Sequence, residues 1–132
     1  MVIIAISIND VWTSPRRAMT PKWHYEAALR ETICRLRDSG ARVVLCTMAC
    51  AGEKRNGANP LDASIDSYAD ISRSVAGEYG LPLCDMRKAF IAYLGKNNPD
   101  NADRGILTRD GVHLNEQGNE LFAQEILRSL DK

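Results

Sequence analysis

The sequence has no excess of either charge: 17 Lys and Arg balance 17 Asp and Glu over 132 residues. With neither a basic surplus nor a basic stripe, nucleic acid is not an expected partner. No apolar run approaches the ~18–20 residues of a membrane span, so none is expected. The apolar start Met1–Ile8 has no basic segment before it and no small-residue cleavage site after it. It reads as a buried first strand rather than a signal peptide, and a cytoplasmic location is expected. No CxxC pair occurs among Cys34, Cys46, Cys50 and Cys84, and the two histidines lie far from them in sequence. The thiols therefore read as reduced and mostly buried, with no metal and no cofactor expected. Gly52–Gly57 carries Lys54 and Arg55 but lacks the spacing of a phosphate-binding loop. No GxSxG nucleophile elbow is present.

What remains is the balance of a folded domain, 45% hydrophobic and 26% charged. The length suits a single domain over residues 1–132. Three apolar runs stand out: Val2–Ile8, Arg42–Met48 and Leu81–Met86. The first two are continuous and β-branched, the pattern of strands covered on both faces in a parallel sheet. Helical patterns lie between them. One runs from about Pro21 to Ser39, with Thr20 as its expected cap, Tyr25, Leu29, Ile33 and Leu36 on one face, and Gly40 as its stop. A second runs from Asp62 to Tyr79 and stops at Gly80; a short one is expected over Arg87–Leu94. The last runs from Glu116 to Leu130 behind a capping Asn115, with Leu121, Phe122, Ile126 and Leu130 facing inward. Alternating strands and helices predict an α/β fold, a three-layer flavodoxin-like sandwich on a parallel sheet. Sites in such folds form at the carboxyl ends of the strands. Asn9-Asp10, the loop Ala49–Leu61 and the segment after Met86 all lie there.

Two short segments could carry chemistry. In Asp110-Gly111-Val112-His113-Leu114-Asn115 a turn can bring the Asp110 carboxylate onto one imidazole nitrogen of His113. The other nitrogen is then free to act as a base. The same letters also suit a glycine turn beside an ordinary surface histidine. In Ser7-Ile8-Asn9-Asp10 the Asn9 amide could donate to a developing oxyanion, and Asp10 could hold the loop. Plain turn chemistry after a strand explains that pair equally well.

Together and in this order, the two segments resemble blocks of the SGNH hydrolase superfamily, the GDSL-type lipases and esterases. The family's third block reads Gly-x-Asn-Asp after a parallel strand, and here it is Ser7-Ile8-Asn9-Asp10 followed by Val11-Trp12. Its fifth block reads Asp-x-x-His before a terminal helix, and here it is Asp110 to His113 within DGVHLN. The resemblance implies His113 as general base, Asp110 as its orienting carboxylate, Asn9 as an oxyanion donor and Asp10 as loop support. It implies a small-molecule acyl ester as substrate and a serine as nucleophile.

The pattern breaks at that serine. No Gly-Asp-Ser occurs anywhere, and Ser7 stands where the third block has glycine. Ser7 is the substitute nucleophile to consider first, and Ser14 the second. The sequence thus reads as the C-terminal part of an SGNH domain without its N-terminal strands. The chain alone is then expected to be inactive or very weak, with the Ser of the triad supplied elsewhere. The alternative is a non-catalytic ligand-binding or protein-interaction module descended from that fold. In either case the Val2–Ile8 run becomes an apolar edge with unpaired backbone groups. A homo-oligomer or a complementing chain along that edge is expected.

Overall fold

The computed structural model describes residues 1–6 and 8–131. Its strands are β1 (Val2–Ala5), β2 (Val43–Cys46) and β3 (Leu83–Cys84). Its helices are α1 (Lys22–Asp38), α2 (Asp62–Tyr79), α3 (Met86–Asn97) and α4 (Glu116–Leu130). The sheet order is β1-β2-β3 and every pairing is parallel, with Val2 opposite Val43 and Leu45 opposite Leu83.

The alternation of β2 divides the core in two. Val43 and Leu45 point to one side, where Leu29 and Ile33 of α1 and Ile65, Tyr68 and Val75 of α2 bury against them. Val44 and Cys46 point to the other side, against Phe90 and Leu94 of α3 and the apolar stripe of α4. The result is a three-layer α/β sandwich. Each large apolar side chain so buried contributes about 1.5–3 kcal/mol of transfer free energy. Tyr25 and Tyr68 meet edge-on with centroids 5.0 Å apart, and the Tyr25 hydroxyl hydrogen-bonds Ser72 Oγ at 2.9 Å, which locks α1 to α2.

Helix ends follow the sequence with two exceptions. Gly80 closes α2 in the left-handed conformation, and Asn115 Oδ1 accepts the Gly118 N–H at the start of α4. Thr20 does not cap α1: Pro21 takes the cap position, without a side-chain bond. The third helix is longer than expected, because the Asp85 side chain caps it one residue earlier and the pattern continues to Asn97.

All three strands are shorter than their apolar runs. The β1 run ends at Ala5, and Ile8–Asp10 form a 3-10 turn. The expectation of two covered faces holds for β2, whose four residues are all buried. It fails for β1, which lies at an edge of the sheet formed by the described residues and leaves Ile3 38% exposed. On the same layer as α3, the α4 stripe Leu121, Phe122, Ile126 and Leu130 is only partly buried. Three of the four cysteines are buried and all four are free thiols.

Candidate active site

At the carboxyl end of the sheet, β1 turns abruptly. The N–H groups of Val11 and Trp12 both donate to the Ile8 carbonyl, and the fully buried Val11 pins the turn to the core. That turn presents Asn9 to solvent. Asp10 contributes its carbonyl, which accepts the Thr20 N–H at 2.9 Å. Among the described residues no hydrogen bond involves the Asp10 carboxylate. Ser7 lies outside the described residues. Ser14 sits apart in a tight loop, where its Oγ accepts the Arg16 N–H.

The second half of the site is the lead-in to α4. Gly111 adopts φ 96°, a left-handed geometry that favours glycine. It lets the chain reverse between Asp110 and His113. Asp110 Oδ1 accepts the N–H groups of Val112 (3.0 Å) and His113 (2.8 Å). Asp110 Oδ2 meets His113 Nδ1 at 2.7 Å. The His113 N–H and its ring, with the Val112 N–H behind them, hold the Asp110 carboxyl well below the usual carboxylate range. The contact places Nδ1, rather than Nε2, against the carboxylate. Nε2 has no hydrogen-bond partner among the described residues. Both side chains remain open to solvent, at 69% for His113 and 52% for Asp110.

The two halves meet. One cleft of about 490 Å³ is lined by Ile8, Asn9 and Trp12 from the β1 turn and by Asp110, Val112 and His113 from the α4 lead-in. Trp12, 45% exposed, also faces a neighbouring cleft of about 460 Å³ with Lys54 and Asp103 on its walls. Behind the site, burial pushes the Cys50 thiol up to about 12, so it stays protonated near neutral pH and offers no nucleophile. Among the described residues no group of three or more His, Cys, Asp or Glu could hold a metal ion. No described helix is long and apolar enough to cross a membrane.

A site with an imidazole–carboxylate pair opposite an asparagine amide suits acyl transfer. The sequence model of the GDSL-like lipase/acylhydrolase family matches residues 1–121. The chain belongs to that family. No curated relative matches it. Among solved structures, this GDSL-family chain is similar to the acetyl xylan esterase AlAXEase, with 39% identity and a TM-score of 0.93 over 97% of its length. It is similar to LAE5, an alpha/beta hydrolase from the metagenome of Lake Arreo, Spain, with 27% identity and a TM-score of 0.77 over 98% of its length. It also shares its fold with Axe2, an acetylxylan esterase from Geobacillus stearothermophilus, at 24% identity and a TM-score of 0.79 over 98% of its length. The chain spans 65% of AlAXEase and 57% of each of the other two.

Two features of this acylhydrolase-type domain escaped the sequence reading. One is the anchoring of the α4 lead-in on the buried Glu53. The other is the latch of the loop after β2, where Arg87 pairs with Asp62 at 2.9 Å and with Asp66 at 2.7 Å. Neither follows a motif. A charged residue read in sequence gives no sign that it will be buried.

Proposed function

We propose that this chain carries the base, the orienting carboxylate and one oxyanion donor of a serine ester hydrolase. The observation that supports this best is the 2.7 Å contact of Asp110 with His113 Nδ1 in a cleft shared with Asn9. In this reading His113 Nε2 takes the proton of a serine hydroxyl as its oxygen attacks the ester carbonyl. Asp110 fixes the tautomer and stabilises the imidazolium that forms. The Asn9 amide donates to the oxyanion. Collapse of the tetrahedral intermediate expels the alcohol, protonated by His113, and leaves an acyl-enzyme. Water, deprotonated by His113, then releases the acid and restores the serine. Asp10 supports the turn that carries Asn9. The acetyl xylan esterase neighbours favour a small acyl group on a carbohydrate as the ester.

The serine is the part this chain does not supply; Ser7 and Ser14 are the substitutes to exclude. The purified chain should neither hydrolyse p-nitrophenyl acetate nor take up a fluorophosphonate. A serine adduct located by peptide mapping, and abolished in His113→Ala, would overturn the missing-nucleophile part and identify the serine. The role of His113 is tested by fusing the chain to the part of AlAXEase that has no counterpart here. The fusion should hydrolyse acetyl esters, and His113→Ala should cost it about a hundredfold or more, the scale of general base catalysis. A fusion that turns over equally well without His113 would refute the assignment. A fusion that binds acetylated oligosaccharide without turnover would favour a non-catalytic binding module.

A further inference from the structure

We propose that Glu53 is a positioning residue that fixes the Asp110–His113 pair from beneath. The proposal rests on the reading of that pair as catalytic. Glu53 sits in the loop after β2, and its side chain is fully buried. Among the described residues no Lys, Arg or His forms a salt bridge with it. A buried carboxylate without a counter-charge is costly unless donors surround it. Here all its donors come from one three-residue stretch. Oε2 accepts the Ile106 N–H at 2.7 Å. Oε1 accepts the Leu107 N–H at 2.8 Å, the Thr108 N–H at 2.5 Å and the Thr108 hydroxyl at 2.6 Å.

The chain of contacts continues to the pair itself. Thr108 Oγ1, having donated to Glu53, accepts the Gly111 N–H at 2.9 Å. Gly52, the residue before Glu53, donates its N–H to the Gly111 carbonyl at 2.7 Å. Gly111 directly follows Asp110. The backbone on both sides of Asp110 is therefore tied to residues 52–53, while Asp110 and His113 stand in solvent. An exposed pair has no packing of its own to lock its rotamers, and a buried polar anchor beneath it can supply that order.

The test reads geometry rather than turnover. In the full chain, nitrogen chemical shifts of the His113 ring report which nitrogen carries the proton in the neutral form. The native protein should hold the proton on Nδ1. Glu53→Gln keeps the shape but has one acceptor oxygen and an NH2 against a ring of donors, so at least one bond is lost. The tautomer ratio should move about tenfold toward Nε2–H, the scale of one lost hydrogen bond to a charged group. Thr108→Val cuts only the link to Gly111 and should shift the ratio in the same direction. Arg87→Met, which weakens the same loop without touching residues 106–108, should lower the melting temperature and leave the ratio alone. An unchanged ratio in a folded Glu53→Gln chain overturns the proposal, as does an equal shift in Arg87→Met. If Glu53→Gln does not fold, the Thr108→Val ratio decides. A fusion enzyme indifferent to His113→Ala would sink the catalytic reading and leave this result standing.

Discussion

Replacing Arg87 by Met should destabilise the protein severely, although the two side chains are of similar size. The Arg87 guanidinium donates to Asp62 Oδ1 (2.9 Å), Asp66 Oδ1 (2.7 Å) and the Ala49 carbonyl (3.2 Å). The two carboxylates fare differently once it is gone. Asp66 is half exposed and rehydrates; Asp62, only 6% exposed, does not. Removing one partner of a buried ion pair costs about 3–5 kcal/mol. The backbone and side-chain amides of Asn59 still donate to Asp62 Oδ2, which points to the low end, about 3 kcal/mol. For a chain of this length, total stability is roughly 7–20 kcal/mol. The melting temperature should fall by about 10 °C or more, read by circular dichroism or calorimetry. Asp62→Asn in the same background removes the stranded charge, so the double variant should cost about 1–3 kcal/mol less than the sum of the singles. A loss under about 1 kcal/mol in Arg87→Met, or a strictly additive cycle, would refute the reasoning.

Gly118→Ala should destabilise α4 by about 1–3 kcal/mol through overpacking, because an added Cβ would lie 2.0 Å from the Leu107 carbonyl oxygen; a thermal melt checks it. The Asp110 carboxyl is depressed in the folded state, so its contribution to stability is complete above the ordinary carboxylate range and is lost as pH falls below that range toward the folded value. Carboxyl carbon NMR should show Asp110 still ionised after the other exposed carboxylates have protonated, and Asp110→Asn should flatten the acid limb of the stability curve. The open edge of β1 should drive concentration-dependent association in sedimentation, and Ile3→Lys should reduce it by placing a charge on that edge. A monodisperse monomer at every concentration would end that idea.

Much of the fold was legible because its signals are local. The Gly80 stop and the Asn115 cap mark helix ends within one turn of chain, and α2 and α4 begin and end where the sequence places them. Strand ends were less legible. Apolarity does not say where pairing stops: β3 shrinks to Leu83–Cys84 because Pro82 has no N–H to donate and Asp85 already caps α3. The Asp110–His113 contact was readable from a spacing of three. Its meeting with Asn9 was readable only through the family pattern, since His113 lies 104 positions after Asn9 in the chain. Glu53 was not readable at all. Three of its four donors are backbone groups more than 50 residues downstream, and backbone N–H groups leave no mark in a sequence.

The short turn that joins Asp110 to His113 has a consequence for how the site comes apart. Its three hydrogen bonds close within four consecutive residues, and its anchor is the buried Glu53 and Gly52 rather than the edge strand. Asn9, by contrast, is held opposite them by contacts distant in sequence: the edge strand β1 paired with β2, the buried Val11 and the Thr20 N–H bonded to the Asp10 carbonyl. Opening of that strand alone would separate the amide from the imidazole while the imidazole kept its proton in place. The two halves of the cleft thus belong to different levels of the opening hierarchy. Amide exchange should find the β1 protons released before those of Val112 and His113 lose their shared acceptor.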